Sequence, residues 1–424
     1  MEGKSRTSTV QQDQDSKDPV ITPADNPSRN MPDELIVEIL ARLPARSLLR
    51  FRCVCQSWRS LISDPQFVKK HLCLSNVDPN FTHHRILVRK VPDHVSTPIT
   101  IPDPGDIPDP GDINSYSLYA IFNDICDRKM QLLDAPPPFS NPRCKIEGSC
   151  NGLVCLRIMN ERVIYIWNPS TGESKPLPHV IPCSCSLGFG YDESTDDYKV
   201  VILSQSNIGD PRICKAEVCS LRTGSRREIQ NFPCSWPLCA WSVFVNGALY
   251  WVVVSEIEVP TRWDLVALDL STETYQEVPQ PNYIDESFSL LDHGILDFGF
   301  YLEFVVVQGS LCLACHYICH CSASHTALWI MEGYGMRGSW TKLLKIPYPQ
   351  ELDEGQKFRR LLSFSRDGKF LMATKNLLVL YSSKEDRFQY LPTHGWELLG
   401  DDIFEVKTCV DSLISPNPTK DNEQ

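Results

Sequence analysis

The chain has 424 residues, 42% hydrophobic and 22% charged, with a formal net charge of −12. That composition fits a folded protein and is too apolar for a disordered one, and at about 150 residues per domain the length suggests roughly two or three domains. The acidic balance argues against a protein that wraps nucleic acid, which needs a basic face for the phosphates. No apolar run reaches the roughly 18 residues of a membrane-spanning helix, and residues 1–18 hold no apolar stretch, so neither a span nor a secretory signal is expected. The 18 cysteines are then expected in a reducing compartment, cytoplasmic and/or nuclear, as small buried hydrophobes and not as disulfides.

The charge divides as −1 over residues 1–30, +3 over 31–75 and −14 over the remainder. Residues 1–30 lack aromatic side chains and read as a disordered tail, as do 411–424. Residues 31–76 read as helical. Pro32 suits a first helical turn, and Asp33 and Glu34 suit the positive end of the helix dipole. Leu35, Ile36, Ile39, Leu40 and Leu43 share one face of a helix that Pro44 ends. A second stretch carries Leu48, Leu49, Phe51, Val54 and Cys55; a third carries Trp58, Leu61 and Ile62 and stops at Asp64-Pro65. Three short helices cannot bury all this apolar surface among themselves, so part of it is expected to meet a partner. A tryptophan flanked by leucines suits an interface anchor.

From about residue 84 short β-branched and aromatic runs alternate with turn residues. Strands are expected at Arg85–Val91, Gly152–Leu156, Val163–Trp167, Tyr198–Leu203, Ala248–Val254, Leu265–Leu270, Phe304–Val307, Leu328–Met331, Phe370–Ala373 and Leu377–Tyr381. Units open at a turn glycine (Asn151-Gly152, Asn246-Gly247, Gln308-Gly309, Asp367-Gly368) and close at an apolar residue before proline (Ala135, Leu177, Phe232, Val278, Ile346, Leu391). The closings are 42, 55, 46, 68 and 45 residues apart, the period of a β-propeller, and six closings predict about six blades. The kelch double glycine is absent, and Trp263-Asp264 is a single occurrence. The fold class expected is mainly β with a small N-terminal α module: helices in 31–76, a connector with first strands in 77–145 and a propeller-like domain in 146–410. Within the connector, 101–113 carries Ile-Pro-Asp-Pro-Gly-Asp twice and reads as a solvated loop.

Several motifs look chemical. Cys312-Leu-Ala-Cys315-His316, with Cys319, His320 and Cys321, matches a haem-attachment or zinc pattern. Strand alternation would point Cys312 and Cys315 to opposite faces, so buried strand cysteines are expected and no metal or cofactor. Gly333-Tyr-Gly335-Met-Arg-Gly338 precedes a strand, not the helix that a dinucleotide site requires. Asp297-Phe298-Gly299 lacks every companion of a kinase. No catalytic residue is expected.

Residues Met31 to Ile62 closely resemble the F-box, with Met31 where leucine is usual and Gln56 where a basic residue is usual. The body resembles the plant F-box-associated, kelch-like domain at Gly148–Cys155, Ile166–Gly172, Gly188–Val201 and Trp329–Lys342. The resemblance implies a substrate-recognition subunit of an SCF ubiquitin ligase. The F-box would bind the SKP1 adaptor and, through it, a cullin and a RING protein, while loops within 146–410 hold a target protein for degradation. By position, the adaptor contacts implied are Pro32, Leu35, Ile39, Leu43, Pro44, Leu48, Val54, Cys55 and Trp58. Ubiquitin transfer would then be helped by proximity, with no covalent chemistry by this chain. The alternatives are a propeller enzyme or ligand-binding protein with an axial site, and an F-box scaffold acting outside the ligase.

Overall fold

In the computed structural model the described residues are 32–91, 113–124, 131–133, 144–205, 213–233, 242–255, 262–282, 300–317, 324–333, 340–349, 360–374, 377–391 and 403–417. The tail expected at 1–30, the repeat at 101–112, Asp297-Phe298-Gly299, the glycines at 335 and 338, and Cys319, His320 and Cys321 lie outside them.

The N-terminal module has four helices: α1 (Asp33–Leu40), α2 (Ala45–Phe51), α3 (Gln56–Ser63) and α4 (Pro65–Asn76). The fourth and longest corrects the expectation of three. Asp64-Pro65, read as a stop, is also a start: the Asp64 carboxylate accepts from the Gln66 and Phe67 amides at 2.9 and 3.0 Å, and Pro65 fills the first helical position. Pro32 and Pro44 stand at the N-caps of α1 and α2.

The body is a six-bladed propeller of four-stranded antiparallel sheets. Blade 2 runs from the axis outward as Cys144–Cys150, Leu153–Ile158, Val163–Trp167 and Ser174–Pro176. Blade 3 is Cys185–Asp192, Asp197–Gln205, Cys214–Ser220 and Arg226–Glu228; blade 4 is Ser242–Val245, Ala248–Ser255, Arg262–Asp269 and Tyr275–Glu277. Blade 5 is Phe300–Val307, Ser310–Tyr317, His325–Met331 and Trp340–Pro347; blade 6 is Arg360–Phe364, Lys369–Ala373, Leu378–Ser382 and Arg387–Leu391. Blade 1 closes the ring: His84–Val91, Ile113–Ser117 and Gln131–Leu132 take the last strand, Ile403–Val410, as their inner member. That pairing runs unbroken from His84 opposite Val410 to Val91 opposite Ile403. The strands described between 77 and 143, within the expected connector, therefore belong to blade 1.

The ten expected strands are all present, within a few residues at each end. The turn glycines lie between the first and second strands of their blades, with Asn151, Gly152, Asn246 and Gly247 all at positive φ. The sequence unit thus begins one strand later than the blade, the offset that a ring closed by its C-terminal strand requires. The closing residues Leu177, Phe232, Val278, Ile346 and Leu391 are all buried, the first three beyond the outer strands of their blades and the last two within them, while Ala135 lies outside the described residues. The core lies between neighbouring blades. Cys312 packs in the cluster shared with blade 6 and Cys315 in the cluster shared with blade 4, on opposite faces of one strand, so the two thiols cannot share an ion.

Candidate docking site

Helix α1 carries more apolar positions than its own module can cover. Leu40 is 2% exposed and, with Ala41, Ala45, Leu48, Ile62 and Phe67, forms the module's core, flanked by Ile36, Leu43 and Trp58. Leu35 and Ile39, one position round the helix, remain 52% and 50% exposed, and Val54, in the α2–α3 turn, is 61% exposed. A folded domain leaves large aliphatic side chains so exposed at little cost singly; grouped on one small module they mark an interaction surface.

The structure sorts the nine sequence-derived contact positions. Pro32, Leu35, Ile39, Pro44, Val54 and Cys55 are exposed, and Leu43 and Trp58 are half-buried. Trp58 is held against Phe51, ring centroids 5.5 Å apart, which fixes the indole at the module's edge. Leu48 differs: it is fully buried among the core residues, so it supports the surface and does not present one. Its apolar spacing resembles that of its exposed neighbours, because a helix of seven residues shows both faces within two turns.

Polar groups frame the strip. Glu38 is bridged by Lys70 and by Arg42, the latter at 2.5 Å, and these two cations hold its carboxyl below the usual range. Cys55 stands at the N-cap position of α3; a contact with the Ser57 hydroxyl at 3.1 Å and the Trp58 amide lower its thiol. A concavity beside it, lined by Leu49, Arg52, Cys53, Gln56 and Arg59, adds basic groups that the sequence reading did not single out. Nothing in this arrangement pairs a nucleophile with a base; it can accept an apolar partner with an acidic rim.

The module does not hang on a free linker. After the last propeller strand the chain runs on as a strap, residues 411–417, although 411–424 was expected to be disordered. Leu413 is 4% exposed and completes the helical module's core. The Asp411 amide donates to the His83 carbonyl at 2.7 Å. From blade 2 the Asn168 amide donates to the carbonyls of Ser412 and Ile414 at 3.0 and 2.7 Å, and the Ser170 hydroxyl donates to Asp411 at 3.2 Å. On α4 the buried His71 donates through Nε2 to the Leu43 carbonyl at 2.9 Å and meets His83 edge-on, while Lys69 pairs with Asp196 of blade 3 at 2.9 Å. Asp196 and Asn168 both sit in turns on the same end of the propeller, so the helices are seated on that face.

Two family models match. The F-box domain covers residues 29–70, and the F-box associated beta propeller domain covers 113–397. An F-box/kelch-repeat protein of Arabidopsis thaliana is 28% identical over 401 residues, spanning 92% of this chain and 96% of the relative. The F-box protein CPR1 of the same plant is 26% identical over 375 residues, 82% of this chain and 80% of CPR1. Among solved structures, a chain of a nidogen/laminin complex aligns with a TM-score of 0.44 at 11% identity, over 77% of this chain and 99% of that one.

Proposed function

We propose, for a chain that belongs to the F-box proteins with an F-box associated β-propeller domain, the role of substrate receptor in an SCF-type ubiquitin ligase. The helical module docks on the SKP1 adaptor, and a cullin and a RING protein follow through it. The propeller holds a protein target on the face away from the helices. The chain itself is non-catalytic and works in the cytoplasm and/or nucleus. One observation carries this reading: Leu35, Ile39 and Val54 stand at least half exposed on a module whose core residues Leu40, Leu48, Ile62 and Phe67 are packed. The strap supports it further, since proximity helps transfer only when target and adaptor keep a fixed geometry.

The test is a calorimetric titration of the full chain with a purified SKP1 adaptor. Complete burial of a Leu, Ile or Val is worth about 1.5–3 kcal/mol, so burying the exposed half of each contributes roughly 1 kcal/mol. A triple variant Leu35→Ala, Ile39→Ala, Val54→Ala should therefore bind on the order of 100-fold more weakly, with an unchanged melting temperature. Affinity within threefold of the parent would sink the docking claim.

A further inference from the structure

The strap that seats the helical module carries a modifiable hydroxyl at the point where it meets blade 2. Serine or threonine precedes proline at Thr22, Thr97 and Ser415, and of these Ser415 alone lies among the described residues. Ser415 is exposed, while Leu413 before it and Pro416 after it are buried. Its hydroxyl donates to the Glu173 carboxylate, in the turn before the outer strand of blade 2, and accepts from the Asn417 amide at 3.1 Å. Glu173 is exposed and has no ion-pair partner among the described residues. The strap's own carboxylate, Asp411, accepts from Ser170 at 3.2 Å and likewise has no ion-pair partner there. A hydroxyl with a proton to give suits this acidic spot, and a dianion does not. Phosphoserine carries roughly −2 charge at pH 7, so the bond to Glu173 would become a repulsion. The lever is short: Leu413, two residues away, fills the core of the helical module.

We infer that Ser415 is a phosphorylation site for a proline-directed protein kinase, and that its phosphate releases the strap from blade 2 and Leu413 from the helical core. The phosphoryl donor is a nucleoside triphosphate. The bond from the Ser415 Oγ to the γ-phosphorus forms, the bond from that phosphorus to the bridging oxygen breaks, the diphosphate leaves, and the hydroxyl proton passes to the kinase's base. Because Leu413 and Pro416 are buried, the kinase takes the segment while the strap is detached, and the phosphate then holds it off. Under the substrate-receptor reading above, on which this consequence alone rests, a released strap loosens the geometry between adaptor and target.

The experiment treats the full chain with ATP and a cyclin-dependent or, separately, a mitogen-activated kinase, and maps the phosphate by peptide mass spectrometry. Thr22→Ala and Thr97→Ala in the same chain confine proline-directed modification to Ser415. Amide hydrogen exchange then follows the helices with no adaptor present, so failure here leaves the docking claim standing, and the reverse. Phosphate on Ser415 is expected from at least one kinase, with α1, α2, α3 and α4 exchanging roughly tenfold faster and the inner strand Cys185–Asp192 unchanged. Ser415→Ala, which loses the bond without adding charge, should accelerate the helices less than the phosphate does. Glu173→Arg turns the repulsion into a pair and should restore protection in the phosphorylated chain. No phosphate at Ser415 with either kinase, unchanged helical exchange in the phosphorylated chain, or no rescue by Glu173→Arg would overturn the assignment.

Discussion

Substitution of Leu413 by alanine should loosen the helical module while sparing the blades. The side chain is 4% exposed and its neighbours, Leu40, Ala41, Ala45, Leu48, Ile62 and Phe67, make up the rest of that module's core. Leucine-to-alanine changes in a packed core cost about 2–5 kcal/mol, the larger values where the cavity cannot collapse. A module of this size has little to spare, because small domains bury too little surface to be robust alone. A loss of about 3 kcal/mol corresponds to opening on the order of 100-fold more frequent. Amide hydrogen exchange reads this directly, since each cooperative unit exchanges with its own opening free energy. In Leu413→Ala, protection across α1, α2, α3 and α4 should fall about 100-fold, while the inner strands Cys185–Asp192 and Phe300–Val307 keep theirs. Deleting 411–424 should reproduce the effect. Unchanged exchange in the helices, or equal acceleration in helices and blades, would refute the idea that the strap ties the module to the propeller.

Three further outcomes are expected. Gly152 has φ +83°, and an added Cβ would lie 2.2 Å from the Ser412 Cβ and 2.7 Å from the Val410 carbonyl; Gly152→Ala should lower the melting temperature by several degrees, with backbone strain alone costing about 1–3 kcal/mol. Lys199 joins blades 3 and 4 through Asp192 at 2.8 Å, Glu273 at 3.1 Å and the Leu270 carbonyl at 2.7 Å, so Lys199→Met should cost about 3 kcal/mol in denaturant titration by leaving the buried Asp192 carboxylate without its cation, while Glu273 keeps Arg227. Acid should act on the seat of the helices first. Burial lowers His71, and burial pushes His84 down to about 4 from 6.5. Both rings are held neutral in the fold, so the unfolded chain binds more protons below pH 6.5, and their contribution, full above that pH, is lost as pH falls toward 4. Exchange at α4 and at 81–84 should accelerate across that window. The Asp192 contribution persists further: burial opposes its ionisation, but bonds from Lys199, Ser194 and Thr195 outweigh this and lower it from 3.8, so it is lost only below about pH 4.

The sequence made the middle strands of the blades legible and hid the rest for physical reasons. Ala248–Ser255 and Lys369–Ala373 are apolar runs bounded by turns, and they stand out. Cys144–Cys150 and Cys185–Asp192 carry glycine, serine and charge, because they meet two neighbouring blades and the axis at once, and no simple alternation survives. The outer strands, such as Ser174–Pro176 and Arg226–Glu228, are too short to show a period. Helix α4 was masked by a proline that serves as a start as readily as a stop. Leu413 could not be found at all, since a lone leucine among serines and prolines carries no pattern; only the fold brings it into the helical core. At the docking site the structure leaves Leu35, Ile39 and Val54 exposed, whereas the burial of Leu48 follows from how α2 lies against its neighbours, which spacing does not specify.

The most direct test of the central claim is the hydrogen-exchange footprint of a SKP1 adaptor on the full chain. Docking through the helical module predicts new protection at α1 and through the α2–α3 turn, around Leu35, Ile39, Val54 and Trp58, with the blades unchanged. Protection confined to the propeller, or no protection at saturating adaptor, would contradict it.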